Sequence, residues 1–224
     1  MSDGRRLKIL SIAHPAVSRD AGRLRYYPLG ARRDIDVHLL VPAVWHQFGR
    51  TLVADPSDDP GITVHVMPIR LGRAGPMSWY LHYYPGLGRL IRNIAPDVIH
   101  LWEEPWSVVA MQARLLKGPA AMVLEVDQNI LKRLPPPFEW IRKQVLQNTD
   151  HVLSRSPDAT DVVRARGYSG PVSSIGYGVD LTNFRPDVAP MLPPPQRPEF
   201  RIGYVGRMVI EKGLDDALDA MARA

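Results

Sequence analysis

Short apolar runs rich in β-branched residues alternate along the chain with longer stretches in which apolar side chains recur at helical spacing. Residues 8–13 (KILSIA), 37–41 (VHLLV), 62–69 (ITVHVMPI), 98–101 (VIHL), 121–126 (AMVLEV), 151–154 (HVLS) and 172–175 (VSSI) read as strands. Helices are expected in the Arg-rich stretch carrying Leu24, Tyr27 and Leu29, and over 81–94, 106–116, 138–147 and 158–166. Pro85 and Gly86 disturb the start of the second of these, and Gly167 stops the last. Parallel neighbours need crossover connections, so this alternation predicts an α/β fold: a doubly wound, Rossmann-like parallel sheet with helices on both faces. Such sheets bind ligands at the carboxyl ends of their strands, which directs attention to the loops after Ala13, Leu101, Val126 and Ile175.

The pattern breaks after Phe184. Pro186, Pro190, Pro193, Pro194, Pro195 and Pro198 make a stiff linker, after which 200–205 (FRIGYV) reads as a strand and 213–221 as a helix with Leu214, Leu218 and Met221 on one side. The expected organisation is a first domain over 1–184, a linker over 185–199, and over 200–224 the opening of a second Rossmann-like domain. A lone strand and helix cannot bury a core, so this second domain is read as incomplete.

Composition narrows the chemistry. The 224 residues contain no cysteine, which excludes disulfides, thiolate metal sites and a cysteine nucleophile. No stretch approaches the roughly 18 uninterrupted apolar residues of a spanning helix, and residues 1–6 lack the apolar segment of a signal peptide. A cytoplasmic protein is expected. The net charge of +5 comes mainly from arginine, but the bases are scattered among acids without a long like-charge run, so no nucleic-acid partner is expected. Lys132, Arg133, Arg142 and Lys143 flank Pro135-Pro136-Pro137-Phe138 and Trp140, a combination suited either to peripheral contact with the inner face of a membrane or to a solvated helix face. The aromatics of 78–84 (SWYLHYY) suit either an acceptor sugar or a core.

Three segments carry candidate chemistry. Gly206 and Arg207 follow the strand at 200–205, and Lys212 stands at a helix N-terminus whose free N–H groups favour phosphate; the alternative is a surface Arg and a Lys paired with Glu211 or Asp215. The strand-end loop 97–105 aims His100, Trp102, Glu103 and Glu104 at the sheet edge, where carboxylates can accept sugar hydroxyls or take a proton. Otherwise His100 is a core histidine, and the glutamates favour the N-terminus of the following helix. The loop after the first strand, HPAVSRDAG, offers His14, Ser18 and Arg19 as ligand contacts or as a solvated turn.

Four segments together, 96–105 (PDVIHLWEEP), 125–135 (EVDQNILKRLP), 178–186 (GVDLTNFRP) and 203–214 (GYVGRMVIEKGL), resemble the retaining glycosyltransferases of the GT-B architecture, family four. The resemblance implies two facing Rossmann-like domains, a nucleotide-sugar donor and a sugar, polyol or lipid-linked acceptor, with retention of configuration and a role in carbohydrate or glycan biosynthesis. It implies that Gly206, Arg207 and Lys212 hold the donor diphosphate, without metal or cofactor, while the strand-end position of the 97–105 loop makes Glu103, Glu104 and His100 the candidate catalytic groups. By their position at the same sheet edge, His14, Arg19 and Trp102 are candidates to line the acceptor side of the cleft. Trp102 stands where family members often carry a second histidine, and the first loop lacks the Gly-Gly pair many relatives use. The family's paired glutamates would fall downstream of Ala224, so the fragment alone is expected to be inactive. Two competitors remain: an epimerase or phosphorylase of the same architecture, and a non-catalytic module binding an acceptor or partner protein.

Overall fold

The structure is a computed structural model describing residues 5–73, 75–182, 184–188, 201–206, 208 and 210–223. It divides into two compact units, one running to Gly178 and one beginning at Val179.

In the first unit β1 (Leu7–Ile12) leads into three short helical turns, His14–Val17, Arg19–Arg23 and Leu24–Tyr26, and then α1 (Tyr27–Gly30). Next come β2 (Ile35–Pro42), β3 (Val44–Gln47), β4 (Arg50–Val53) and β5 (Ile62–Met67). The remainder is α2 (Ser78–Leu81), α3 (Leu87–Ile94), β6 (Val98–Leu101), α4 (Val108–Leu116), β7 (Ala121–Val126), α5 (Pro136–Gln147), β8 (His151–Ser154), α6 (Pro157–Ala165) and β9 (Val172–Ser174). Among the described residues seven strands form one parallel sheet in the order β5-β2-β1-β6-β7-β8-β9. The strand order reverses between β1 and β6, the topological switch point of a doubly wound sheet. The α/β fold is as the alternation predicts.

Packing follows the strand period. Val37, Leu39 and Val41 of β2 meet Tyr26, Ala13 and Ala16 on one face, whereas Leu40 joins Leu10, Ile99, Met122 and Leu124 in the larger core beneath α3 to α6. Central strands of a covered parallel sheet read as short, mainly apolar runs, and 98–101, 121–126 and 151–154 match β6, β7 and β8. Ser107 and Ser156 cap α4 and α6 by accepting from the amides of Ala110 and Ala159.

Four expectations change. The stretch after β1 is a chain of short turns with only α1 at its end. The helix foreseen over 81–94 is α2, an extended break at His82, and α3, because Pro85 cannot donate within a helix. The hairpin of β3 and β4 was not foreseen; Phe48 and Gly49 turn it with φ of 49° and 74°. In the second unit residues 201–206 carry no strand, since a strand requires a paired neighbour, and Phe200 lies outside the described residues. A short turn, Ile210–Lys212, precedes α7 (Leu214–Ala222) there.

Gly30 and Gly61 bring α1 against the entrance to β5 backbone to backbone. A Cβ on Gly61 would sit 2.8 Å from the Gly30 carbonyl oxygen, and φ there is +73°. Gly61→Ala is expected to lower the unfolding free energy by about 2–3 kcal/mol, against about 1 kcal/mol for Gly118→Ala, where φ is +56° in open space. Urea denaturation of both variants measures the difference; equal losses would show that the close approach contributes nothing.

Candidate functional site

The carboxyl edge at the switch point is closed by two backbone bonds: the amide of Ala13 donates to Leu40 O at 3.1 Å, and that of Trp102 to Ile12 O at 3.0 Å. The turns after β1, β6, β7 and β8 therefore converge, and they carry two polar networks.

Glu125, in β7, is the hub of the first. Arg25 grips it with both terminal nitrogens, Nη1 to Oε1 at 2.8 Å and Nη2 to Oε2 at 2.6 Å. Arg155 donates from Nε to Oε1 at 2.8 Å, and His100 Nε2 stands 3.2 Å from Oε2. His100 Nδ1 reaches Ser11 Oγ at 2.8 Å, and Ser11 in turn bonds Tyr26 at 2.8 Å. Burial pushes the Glu125 carboxyl pKa up, but hydrogen bonds and charge from His100 and Arg25 outweigh it and bring it down to about 2. The guanidinium of Arg25 lies 4.2 Å from the Trp102 ring centre, and that of Arg155 lies 4.7 Å from the Tyr177 ring, whose hydroxyl donates to Asp127 at 2.7 Å.

The second network centres on Glu103. Its Oε1 accepts the His14 amide at 2.8 Å, its Oε2 pairs with His14 Nδ1 at 2.6 Å, and His82 Nε2 lies 3.5 Å from the same oxygen. His14 is packed between Trp45 and Trp79, with ring centres 4.5 and 4.8 Å away. Burial pushes the Glu103 carboxyl up, yet the two imidazoles hold it at about 2.

Glu104 turns away from this network into a crevice lined by Trp106, Val126, Leu146, Val163, Arg142 and Arg166. Its Oε2 is buried without a hydrogen-bond partner. Burial, with the charges of Asp127 and Glu103, pushes its pKa up to about 7. Adjacent carboxylates thus sit in opposite environments, one held ionised and one poised near neutrality, the pattern that separates a fixed anion from a proton donor or acceptor.

The residues singled out from sequence divide accordingly. His14 and Glu103 meet directly, His100 belongs to the Glu125 network, and Trp102 lies under Arg25 with Gly22 against its edge, so part of its surface is already covered. Arg19 is occupied: its amide donates to Asp55 at 2.7 Å, and its guanidinium pairs with Asp58 and Asp59. Of the aromatics in 78–84, Tyr84 is buried and Tyr80 packs on Phe138 at 4.9 Å. Gly206 and Lys212 are exposed in the second unit, and Arg207 lies outside the described residues. Sequence reasoning passed over Glu125, Arg25, Arg155 and His82. A glutamate inside the apolar strand AMVLEV was the signal for Glu125; no local signal marks the two arginines. Among the described residues no helix is long and apolar enough to cross a membrane.

Among solved structures, the fold is similar to sucrose-phosphate synthase from Thermosynechococcus elongatus, at 16% identity and a TM-score of 0.49, over 77% of this chain and 90% of that one. It is also similar to a UDP-N-acetylglucosamine 2-epimerase, at 16% identity and a TM-score of 0.47, over 73% of this chain and 46% of that one. A search of curated proteins returns no match. The family model described as Glycosyltransferase Family 4 matches residues 30–183, a span that runs from the end of α1 past β9 and includes Glu103, Glu104 and Glu125. The chain therefore belongs to Glycosyltransferase Family 4.

Proposed function

We propose that the protein transfers a glycosyl group from a nucleotide-sugar donor to a sugar, polyol or lipid-linked acceptor, with retention of configuration and without a redox cofactor. The observation that carries this reading is the family match over a sheet whose switch-point edge bears Glu104, half-buried, with one carboxyl oxygen buried and unpartnered and a pKa raised to about 7. In this reading the first unit shapes the acceptor side, and Glu104 accepts or returns the acceptor hydroxyl proton. Gly206, Arg207 and Lys212 neutralise the charge left on the departing diphosphate. Ile130, Leu131 and Trp140 are exposed beside Lys132 and Lys143, which supports a cytoplasmic protein touching an anionic membrane where a lipid-linked acceptor resides.

The second unit supplies only α7 and a short turn among the described residues, so the 224-residue chain by itself is proposed to have little activity. Incubation of the protein, as the 224-residue chain and in any longer form of it, with radiolabelled nucleotide sugars and candidate acceptors tests the transferase reading. Label is expected in an acceptor product of retained configuration, with kcat reduced about 10²–10⁴-fold in Glu104→Gln. Free epimerised sugar would mark an epimerase, and saturable acceptor binding without turnover a non-catalytic module; either result overturns the proposal.

A further inference from the structure

His14, His82 and Glu103 come from three segments, the turn after β1, the residue following α2 and the turn after β6. Their side chains are 5%, 0% and 1% exposed, and one ligand atom from each lies within 4.8 Å of the others. The transfer reaction proposed above makes no use of them.

The tautomer of His82 is set by its surroundings. Its Nδ1 lies 2.9 Å from the Ser78 carbonyl, which can only accept, so Nδ1 carries a hydrogen, and whenever the ring is neutral its lone pair is on Nε2. That lone pair faces Glu103 Oε2 at 3.5 Å, with no hydrogen bond from Nε2 to any group. Two buried acceptors facing each other repel, unless something positive lies between them. A backbone carbonyl fixing the far N–H of an imidazole is also the usual outer-shell arrangement of a metal-bound histidine. The His82–Glu103 spacing agrees, since two ligands about 2.0–2.1 Å from zinc at the tetrahedral angle stand roughly 3.4 Å apart; His14 Nδ1 is hydrogen-bonded to the same oxygen at 2.6 Å and has to draw back by about 0.8 Å to share the ion. His14 adds a second imidazole, its Nδ1 2.6 Å from the same carboxylate oxygen and its Nε2 buried without a partner.

The geometry points to a binding site for a transition-metal dication at His14, His82 and Glu103, with zinc the best match to two imidazoles and one carboxylate. The metal clips the turns after β1 and β6 to the end of α2, at the edge where the strand order reverses. Trp45 and Trp79, packed against His14, wall the centre. It is distinct from the residues assigned to the diphosphate and does not depend on the transferase reading.

The test uses the full chain, stripped with chelator, loaded with Zn²⁺ or Co²⁺ and freed of excess. One equivalent of zinc is expected by elemental analysis, with a rise in Tm, and cobalt is expected to give intense visible bands of tetrahedral type. Affinity should fall at least about tenfold in His82→Ala, His14→Ala and Glu103→Gln, each checked for folding by circular dichroism. The double variant His38→Ala/His65→Ala removes the other close histidine pair, 3.0 Å apart on β2 and β5, and should bind as wild type. Wild-type protein that takes up neither metal overturns the proposal whatever the variants do. So does binding lost only with His38 and His65, or an NMR spectrum of the metal-exposed protein with both His82 nitrogens protonated, which would mark a plain imidazolium–carboxylate pair.

Discussion

Glu125→Ala is expected to lower the unfolding free energy by about 3–5 kcal/mol at pH 7, because removing one partner of a buried charge pair strands the others. Glu125 is wholly buried and receives Arg25, Arg155 and His100 together; Arg155 is itself 7% exposed and Arg25 27%. The partial exposure of Arg25 lets water take up part of the loss, which favours the lower end of the range. The effect has a direction in pH. The folded carboxyl pKa of about 2 lies below the unfolded value, so the stabilisation is present in full above the unfolded pKa. It is lost as pH falls from there toward 2. Urea midpoints between pH 7 and pH 2 should therefore drop less steeply for the variant than for wild type, with Glu103, also held near 2, supplying part of the slope that remains. Parallel curves would show that Glu125 is not ionically held in the fold.

Arg23→Lys is expected to lower stability by about 2–4 kcal/mol despite the retained charge, and Arg23→Leu by more, because a planar five-donor fork is replaced by groups that cannot reproduce it. Arg23 has no exposed surface and uses every donor. Nε bonds Ala16 O at 3.1 Å; Nη1 bonds Pro56 O and Asp59 Oδ2, both at 2.8 Å; Nη2 bonds Val17 O at 2.9 Å and Asp55 O at 3.0 Å. It ties the turns after β1 to the loop between β4 and β5. Asp59 would keep only Tyr27, at 2.7 Å, and the more distant Arg19. Denaturant unfolding measures the loss, and a lysine variant within about 0.5 kcal/mol of wild type would rule out the fork as the source of stability. Loss of this brace should also raise hydrogen exchange across residues 14–26.

Site and fold differ in how much could be read in advance. Glu103 and Glu104 were singled out as a pair at a strand end, and both stand there, but different partners shift their pKa values in opposite directions. Those partners, His14 and His82 on one side and the Glu104 crevice on the other, come from distant segments. His14 and Glu103 are 89 positions apart, and Arg25 and Glu125 are 100 apart. No local pattern encodes such pairs, since periodicity reports only which face a residue occupies.

From its sequence by itself this chain settled the parallel α/β sheet, the limits of β6, β7 and β8, and the stop of α6 before Gly167. Each of these follows from short-range physics: short, mainly apolar runs alternating with helical spacing, and glycine or proline stops. Tertiary structure alone decided that residues 14–30 coil into turns around Arg23, that β3 and β4 form a hairpin, and that two glutamates one residue apart join separate environments. Charge and hydrogen bonding in a buried site depend on which distant groups the fold brings within about 3 Å, and folding around them selects a local conformation that propensity leaves open.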